Sequence, residues 1–271
     1  MADYKKLAKE ARIAILEMVH RAQTSHIASN FSCTDIATVL YENLKPEDRV
    51  VWSKGWAAAS IYYFNAKYGR GPQEAVDQFP NEPYFGLAET TVPGVEVNGG
   101  SVGHGLSVSV GMALAKKRAN EPGVVYCIMS DGELNEGSVW EAVMLASHHK
   151  LNNLVAIIDK NGWQAMGKTE DVVNLNAGHA FSGFGWGTSA CDGHDYSGLD
   201  RMLRGWWSSY TKPIPLVLVC DTIKGKGVSF FSDHLLYHYK NVSVEAYQAA
   251  IRELNGEVLS KDLVQKLRSG I

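Results

Sequence analysis

Two oxygen-bearing side chains stand one helical crossover apart, each at the end of an apolar run. The run Val124 to Met129 leads into Ser130, Asp131 and Gly132, and the run in "NLVAIIDKN" ends on Asn161. Between them "NEGSVWEAVMLASHHK" has helical spacing. Strand, helix, strand is a βαβ crossover, so the two strands are expected to be parallel neighbours whose ends share one edge. In open α/β sheets, ligands bind beyond the carboxyl ends of the strands. A carboxylate and an amide carbonyl on adjacent strand ends can reach one ion, and this hard-oxygen set suits Mg2+ or Ca2+. Mg2+ takes few protein ligands and completes its shell with water and phosphate oxygens. Gly132 opens the helix, where backbone can approach a phosphate closely. A second glycine-rich turn, "NGGSVGHG" from Asn98 to Gly105, also feeds a helix and offers several N–H groups; alone it is a common feature. Without further context Asp131–Gly132 is also the pattern of an Asx-type turn.

A sheet has to hold these residues in place. "RVVWSKG", "GVVYCIMSD", "NLVAIIDKN", "GWGTSACDG" and "PLVLVCDTIKGKG" read as strands, alternating with helical patterns. That alternation predicts an α/β fold, a parallel sheet with helices on both faces. Helices are expected at Tyr4–Ala22, through "WAAASIYYFNAKYG", and in "SHIASNFSCTDIATVLYENL", read as a polar turn and then a helix with Thr34 as cap and Asp35 in the first turn. Two more C-terminal helices are opened by Ser243 and Ser260. Residues 70–100 carry Pro72, Pro80, Pro83 and Pro93, a long irregular segment of the kind that is usually functional. Glu133 reads as favouring the helix N-terminal dipole, and His148 and His149 as favouring a helix C-terminus; Lys224 and Lys226, after a strand, are placed to meet phosphate, though solvated turn lysines are the commoner case. Trp206 and Trp207 read as packing or interface residues. No repeat, low-complexity stretch or linker divides the chain, so residues 1–271 read as one domain.

Bulk properties narrow the function classes. The 271 residues are 45% hydrophobic and 20% charged with net charge −3. A full core is expected, and nucleic acid or an anionic membrane is disfavoured as the main partner. Cys33, Cys127, Cys191 and Cys220 form no CxxC motif and fit free thiols in a reducing, cytoplasmic compartment. The N-terminus lacks the continuous apolar region of a signal peptide.

The stretch "SDGELNEGSVWEAVMLASHHKLNNLVAIIDKNGWQ" resembles the thiamine diphosphate fingerprint, an acid–glycine pair, a crossover, then asparagine. Its wording is similar to transketolases, in particular to the separate N-terminal subunit of split transketolases. "GVEVNGGSVGHGLSVSVGMALA", "DTIKGKGVSF", "SHIASNFSCTDIATVLY" and "DRVVWSKGWAAA" carry the match over nearly the whole chain. The resemblance implies the thiamine diphosphate-binding fold of a diphosphate-binding domain. It implies that Asp131 and Asn161 hold Mg2+ through side chains, with the Trp163 carbonyl as third ligand. Gly132 and the Gly100–Ser101–Val102 turn then contact the cofactor or its diphosphate, with His104 and Trp56 beside them. His26 matches a histidine near the substrate. His238 matches a late histidine at the reacting centre, though by its bulky surroundings alone it reads equally as a packing residue. Glu136 matches a glutamate at the dimer interface.

Three positions depart from the family pattern. Trp56, in "SKGWA", replaces a histidine that touches the diphosphate; Leu87, in "GLAE", replaces one that contacts the donor hydroxyl; Ser130 stands where glycine is usual. The two lost imidazoles weaken recognition of a hydroxylated ketose or change the donor. The family's activating glutamate lies on a pyrimidine-binding domain, which a chain of this length and type lacks. The resemblance therefore implies a C-terminal partner subunit carrying that domain, in a heterotetramer, and a transketolase-type transfer of a two-carbon unit. Two alternatives use the same fold: a 2-oxo acid-using or acyl-transferring chain, and a non-catalytic cofactor-binding partner.

Overall fold

Residues 2–165, 167–209 and 213–269 are described by a computed structural model; the side chains of Trp206 and Trp207 lie outside the described residues. Five apolar runs form the strands β1 (Arg49–Trp52), β2 (Val125–Ser130), β3 (Leu154–Lys160), β4 (Gly187–Asp192) and β5 (Leu216–Asp221). They make one sheet in the order β1-β2-β3-β5-β4, every pair parallel. Ser130 stands opposite Asp159, and Asp159 opposite Cys220, so the ends of β2, β3 and β5 lie level at one edge.

Side chains of a strand alternate between faces, and both faces of this sheet are covered. Val155 and Ile157 enter one core, with the helices Tyr4–Ala22, Thr34–Asn43 and Ala58–Lys67. Leu154, Ala156 and Ile158 enter the other, with the helices His104–Ala119, Gly137–His148 and Ala177–Gly183. Each fully buried aliphatic side chain contributes about 1.5–3 kcal/mol. Among the described residues no helix is long and apolar enough to cross a membrane.

The helix Tyr4–Ala22 forms over the expected span, capped by the Asp3 carboxylate, which accepts from the Lys6 N–H at 3.0 Å. Ser243 and Ser260 accept from the N–H groups of Ala246 and Leu263, as helix caps do. Thr34 does not cap. It is the first residue of Thr34–Asn43, and its hydroxyl donates back to the Asn30 carbonyl at 2.9 Å, because the stretch expected as a polar turn is instead a buried helix, Ile27–Ser32, that runs into it. Asp35 lies in the first turn of that helix, as expected, and is paired as well. Its buried carboxylate accepts from Arg12 at 2.7 and 2.8 Å, from Tyr196 at 2.8 Å, and lies 2.7 Å from His194 Nδ1. Burial raises the Asp35 carboxyl, but His194, Arg12 and Tyr196 together hold it well below the usual carboxylate range. The hairpin of Trp163–Gln164 with Gly167–Lys168 and the short helices Thr169–Val172 and Leu236–Tyr239 had no clear sequence signal.

Candidate active site at the carboxyl edge of the sheet

Asp131 ends β2, and Asn161 follows β3 on the neighbouring strand. Both are buried, at 5% and 7% exposure. One Asp131 oxygen accepts from the Gly162 N–H at 2.8 Å and the Thr169 hydroxyl at 3.1 Å; the other accepts from the Gly132 N–H. The Asn161 NH2 donates to Asp159 at 3.2 Å, which turns its carbonyl oxygen away, where it accepts from the Trp163 N–H at 3.1 Å. The Asp131 oxygen bonded to Gly132 and the Asn161 carbonyl oxygen each keep a lone pair for a cation. Burial, then the nearby Asp159 carboxylate, push the Asp131 carboxyl up to about 6, against the pull of Gly162, Thr169 and Lys54. Asp131 has no ion pair among the described residues. A buried carboxylate without an ion pair, beside an amide oxygen, is a donor set that fits Mg2+. A cleft of about 300 Å3 runs along it, lined by Asp131, Asn161, Gly162, Trp163 and Thr169.

The glycine turn is tied to the stretch after β2, since the Gly103 N–H reaches the Glu133 carboxylate. Gly100 and Gly103 have φ of 108° and 83°, a region L side chains rarely adopt. A Cβ on Gly105 would stand 2.4 Å from that of Ser53, and one on Gly103 2.7 Å from that of Glu136. The turn is thus packed hard against the end of β1 and the start of Gly137–His148. Ser101, Val102 and His104 are exposed, and His104 opens the helix His104–Ala119. The Trp56 indole N–H donates to the Gly100 carbonyl at 3.3 Å. Glu136 is exposed, while Glu133 is fully buried. Glu133 therefore corrects the dipole reading: its carboxylate accepts from Ser53, Ser130 and the Gly103 N–H instead of facing solvent.

His26 and His238 meet despite their distance in sequence. Their rings lie 5.0 Å apart edge to face, and His26 stacks on Trp56 at 4.5 Å. His26 Nδ1 is engaged by the Ser25 hydroxyl at 2.6 Å. His238 Nδ1 is engaged by the Lys224 side-chain nitrogen. Lys224 is 1% exposed, a second correction: the loop after β5 folds it inward. Burial, then the Lys54 charge, bring Lys224 down to about 7, with Asp131 and Asp159 opposing. Lys54 itself is buried against Asp159, which also accepts from Ser32 and Thr222. Neither Lys54 nor Asp159 stands out in the sequence; an acid inside the buried run "VAIIDK" was the available signal. A second cleft of about 640 Å3 is walled by His26, Trp56, Phe85, Leu87 and Glu89. A larger one of about 680 Å3, with Arg49 and Arg70, lies beside the start of β1, at the other end of the strands.

Comparison with known proteins gives the family. Residues 4–254 match the family model described as transketolase, thiamine diphosphate binding domain. The chain is 35% identical to one of the subunits of the apulose-4-phosphate transketolase of Phocaeicola vulgatus, over 93% of each chain. It is 32% identical to a 6-deoxy-6-sulfo-D-fructose transketolase subunit of a Clostridium species, over 94% of this chain and 97% of that one. In fold it is similar to the solved transketolase of Campylobacter jejuni, with TM-score 0.86 and 24% identity, covering 99% of this chain and 46% of that one. It spans less than half of such single-chain transketolases and nearly all of the separate subunits. The chain belongs to the transketolase family, as a thiamine diphosphate-binding, N-terminal type of subunit.

Proposed function

We propose that this chain forms the diphosphate and cation half of a transketolase-type active centre and that a second polypeptide, with the pyrimidine-binding domain and its glutamate, completes it. The observation that carries this reading is the meeting of Asp131 and Asn161 on neighbouring strand ends, each with an oxygen free for a cation, and a glycine turn bonded to Glu133 two residues past Asp131. Asp131, Asn161 and the Trp163 carbonyl would hold Mg2+, which neutralises the diphosphate. N–H groups of Gly132 and of the Gly100–Val102 turn would meet the phosphate oxygens. When bound, thiamine diphosphate supplies the carbon that carries the two-carbon unit from donor to acceptor. His26 lines the cleft beside Leu87 and His238 packs against its ring, both held toward the neutral form by burial, an arrangement that can exchange protons with a donor or acceptor oxygen. The unpaired thiols fit a reducing, cytoplasmic setting.

A phosphorylated ketose is the first donor to test, since the 35% identical relative is named for one. A second reading, a 2-oxo acid donor, is favoured by the apolar wall that Trp56, Phe85 and Leu87 give the cleft beside His26. The experiment is turnover with ketose phosphates and with 2-oxo acids, for the chain alone, its partner alone and the two together. Turnover only in the mixture is expected. Turnover by this chain alone would contradict the divided site, and none in any mixture would contradict an enzymatic role.

A further inference from the structure

We infer that Glu133 is a positioning residue that ties the phosphate-facing glycine turn to the strand end bearing the cation ligand, an inference that rests on the proposed function for its consequence in cofactor binding. Glu133 is fully buried and has no ion pair among the described residues. An unpaired buried carboxylate is costly unless every oxygen is satisfied, and here four donors satisfy it. One oxygen accepts from the Ser130 N–H at 3.1 Å and the Ser130 hydroxyl at 3.2 Å. The other accepts from the Ser53 hydroxyl and, at 3.4 Å, from the Gly103 N–H.

The chain of bonds goes one step further. Ser53 gives its single proton to Glu133, and its oxygen accepts the Gly105 N–H at 3.1 Å. Ser53 follows β1, Ser130 ends β2 next to Asp131, and Gly103 and Gly105 close the turn and begin the next helix. One carboxylate therefore joins two strand ends and the turn, over sequence separations of 30 and 80 residues. The missing Cβ atoms at Gly103 and Gly105 let the turn come close enough for this, against Glu136 and Ser53. Such a joint fixes the distance between the groups that would face the diphosphate and the groups that would hold its cation.

Glu133→Gln tests the joint with almost no change of shape. All four partners donate, so the glutamine NH2 must face either the Gly103 or the Ser130 N–H and leave it unmatched. Ser53→Ala removes the branch through β1 to Gly105, leaves the Gly103 and Ser130 bonds, and decides the question if Glu133→Gln does not fold. The first measurement is amide hydrogen exchange on the full chain without cofactor. Exchange at residues 103–105 is expected to rise about tenfold or more while β2 and β3 stay protected. The second is thiamine diphosphate affinity at fixed Mg2+ in the complex with the partner. An apparent Kd about tenfold weaker is expected, with turnover at saturating cofactor retained. Unchanged exchange at 103–105 in folded variants would overturn the tie, as would faster exchange throughout the molecule with unchanged cofactor affinity. Failure of the unsubstituted complex to bind cofactor would count against the proposed function, while the exchange result would still decide the tie.

Discussion

Burial comes first among the causes that keep the His26 and His238 imidazoles neutral, followed by the Lys224 charge; the rings are held down to about 4 and about 3. The ordinary value is 6.5, so as pH falls below it the unfolded chain takes up protons that the folded chain refuses. Stability from these rings is fully present above 6.5 and is lost as pH falls toward 4. Asp131, raised to about 6 from 3.8, acts oppositely in an overlapping window, so the informative quantity is a difference between variants. His26→Asn and His238→Asn are expected to flatten the fall in thermal midpoint between pH 6.5 and 4; curves parallel to the unsubstituted chain would contradict the burial of neutral rings. Asp131, Asn161 and the two histidines were legible as single residues because each ends an apolar run or sits in a recognisable phrase. Glu133 and Lys224 were not. A glutamate after Asp-Gly and a lysine before glycine look locally like solvated residues. What buries Glu133 is Ser53, 80 residues away, and Lys224 lies beside His238 within a loop of no regular pattern.

At the scale of elements, the strand–helix–strand unit around Asp131 and the parallel sheet were readable because apolar alternation and length are local properties. The join between Ile27–Ser32 and Thr34–Asn43 was not, since the Thr34 hydroxyl has two uses, a cap or a back-bond to the preceding turn, and sequence does not separate them. The hairpin at Trp163–Gln164 is too short for any pattern. The glycine turn makes its demand through contact rather than through φ alone: Gly105 is helical, yet a Cβ there meets Ser53 at 2.4 Å. Gly105→Ala is therefore expected to cost about 1–3 kcal/mol in denaturant unfolding. Gly111→Ala, in the same helix with open space around it, is expected to be neutral or slightly stabilising. Equal effects at the two positions would show that the turn is not wedged against β1.

As a whole molecule, the chain has a full two-faced sheet and a site open at one edge, and it spans less than half of the single-chain transketolases it resembles. Exposed apolar side chains lie around that edge and along Gly137–His148: Trp56, Phe85, Val102, Met144 and Leu145. They are consistent with a large surface that a second chain covers, and a heterotetramer with the pyrimidine-binding subunit is the assembly we propose. The central claim is that Asp131 and Asn161 hold the cation of a thiamine diphosphate site. Its most direct test is a calorimetric titration of thiamine diphosphate into this chain assembled with its partner, with and without Mg2+, beside the same complex carrying Asp131→Ala. Saturable binding that requires Mg2+ is predicted, with an affinity at least about a hundredfold weaker in Asp131→Ala; binding indifferent to Mg2+, or equal affinity in the variant, would contradict the claim.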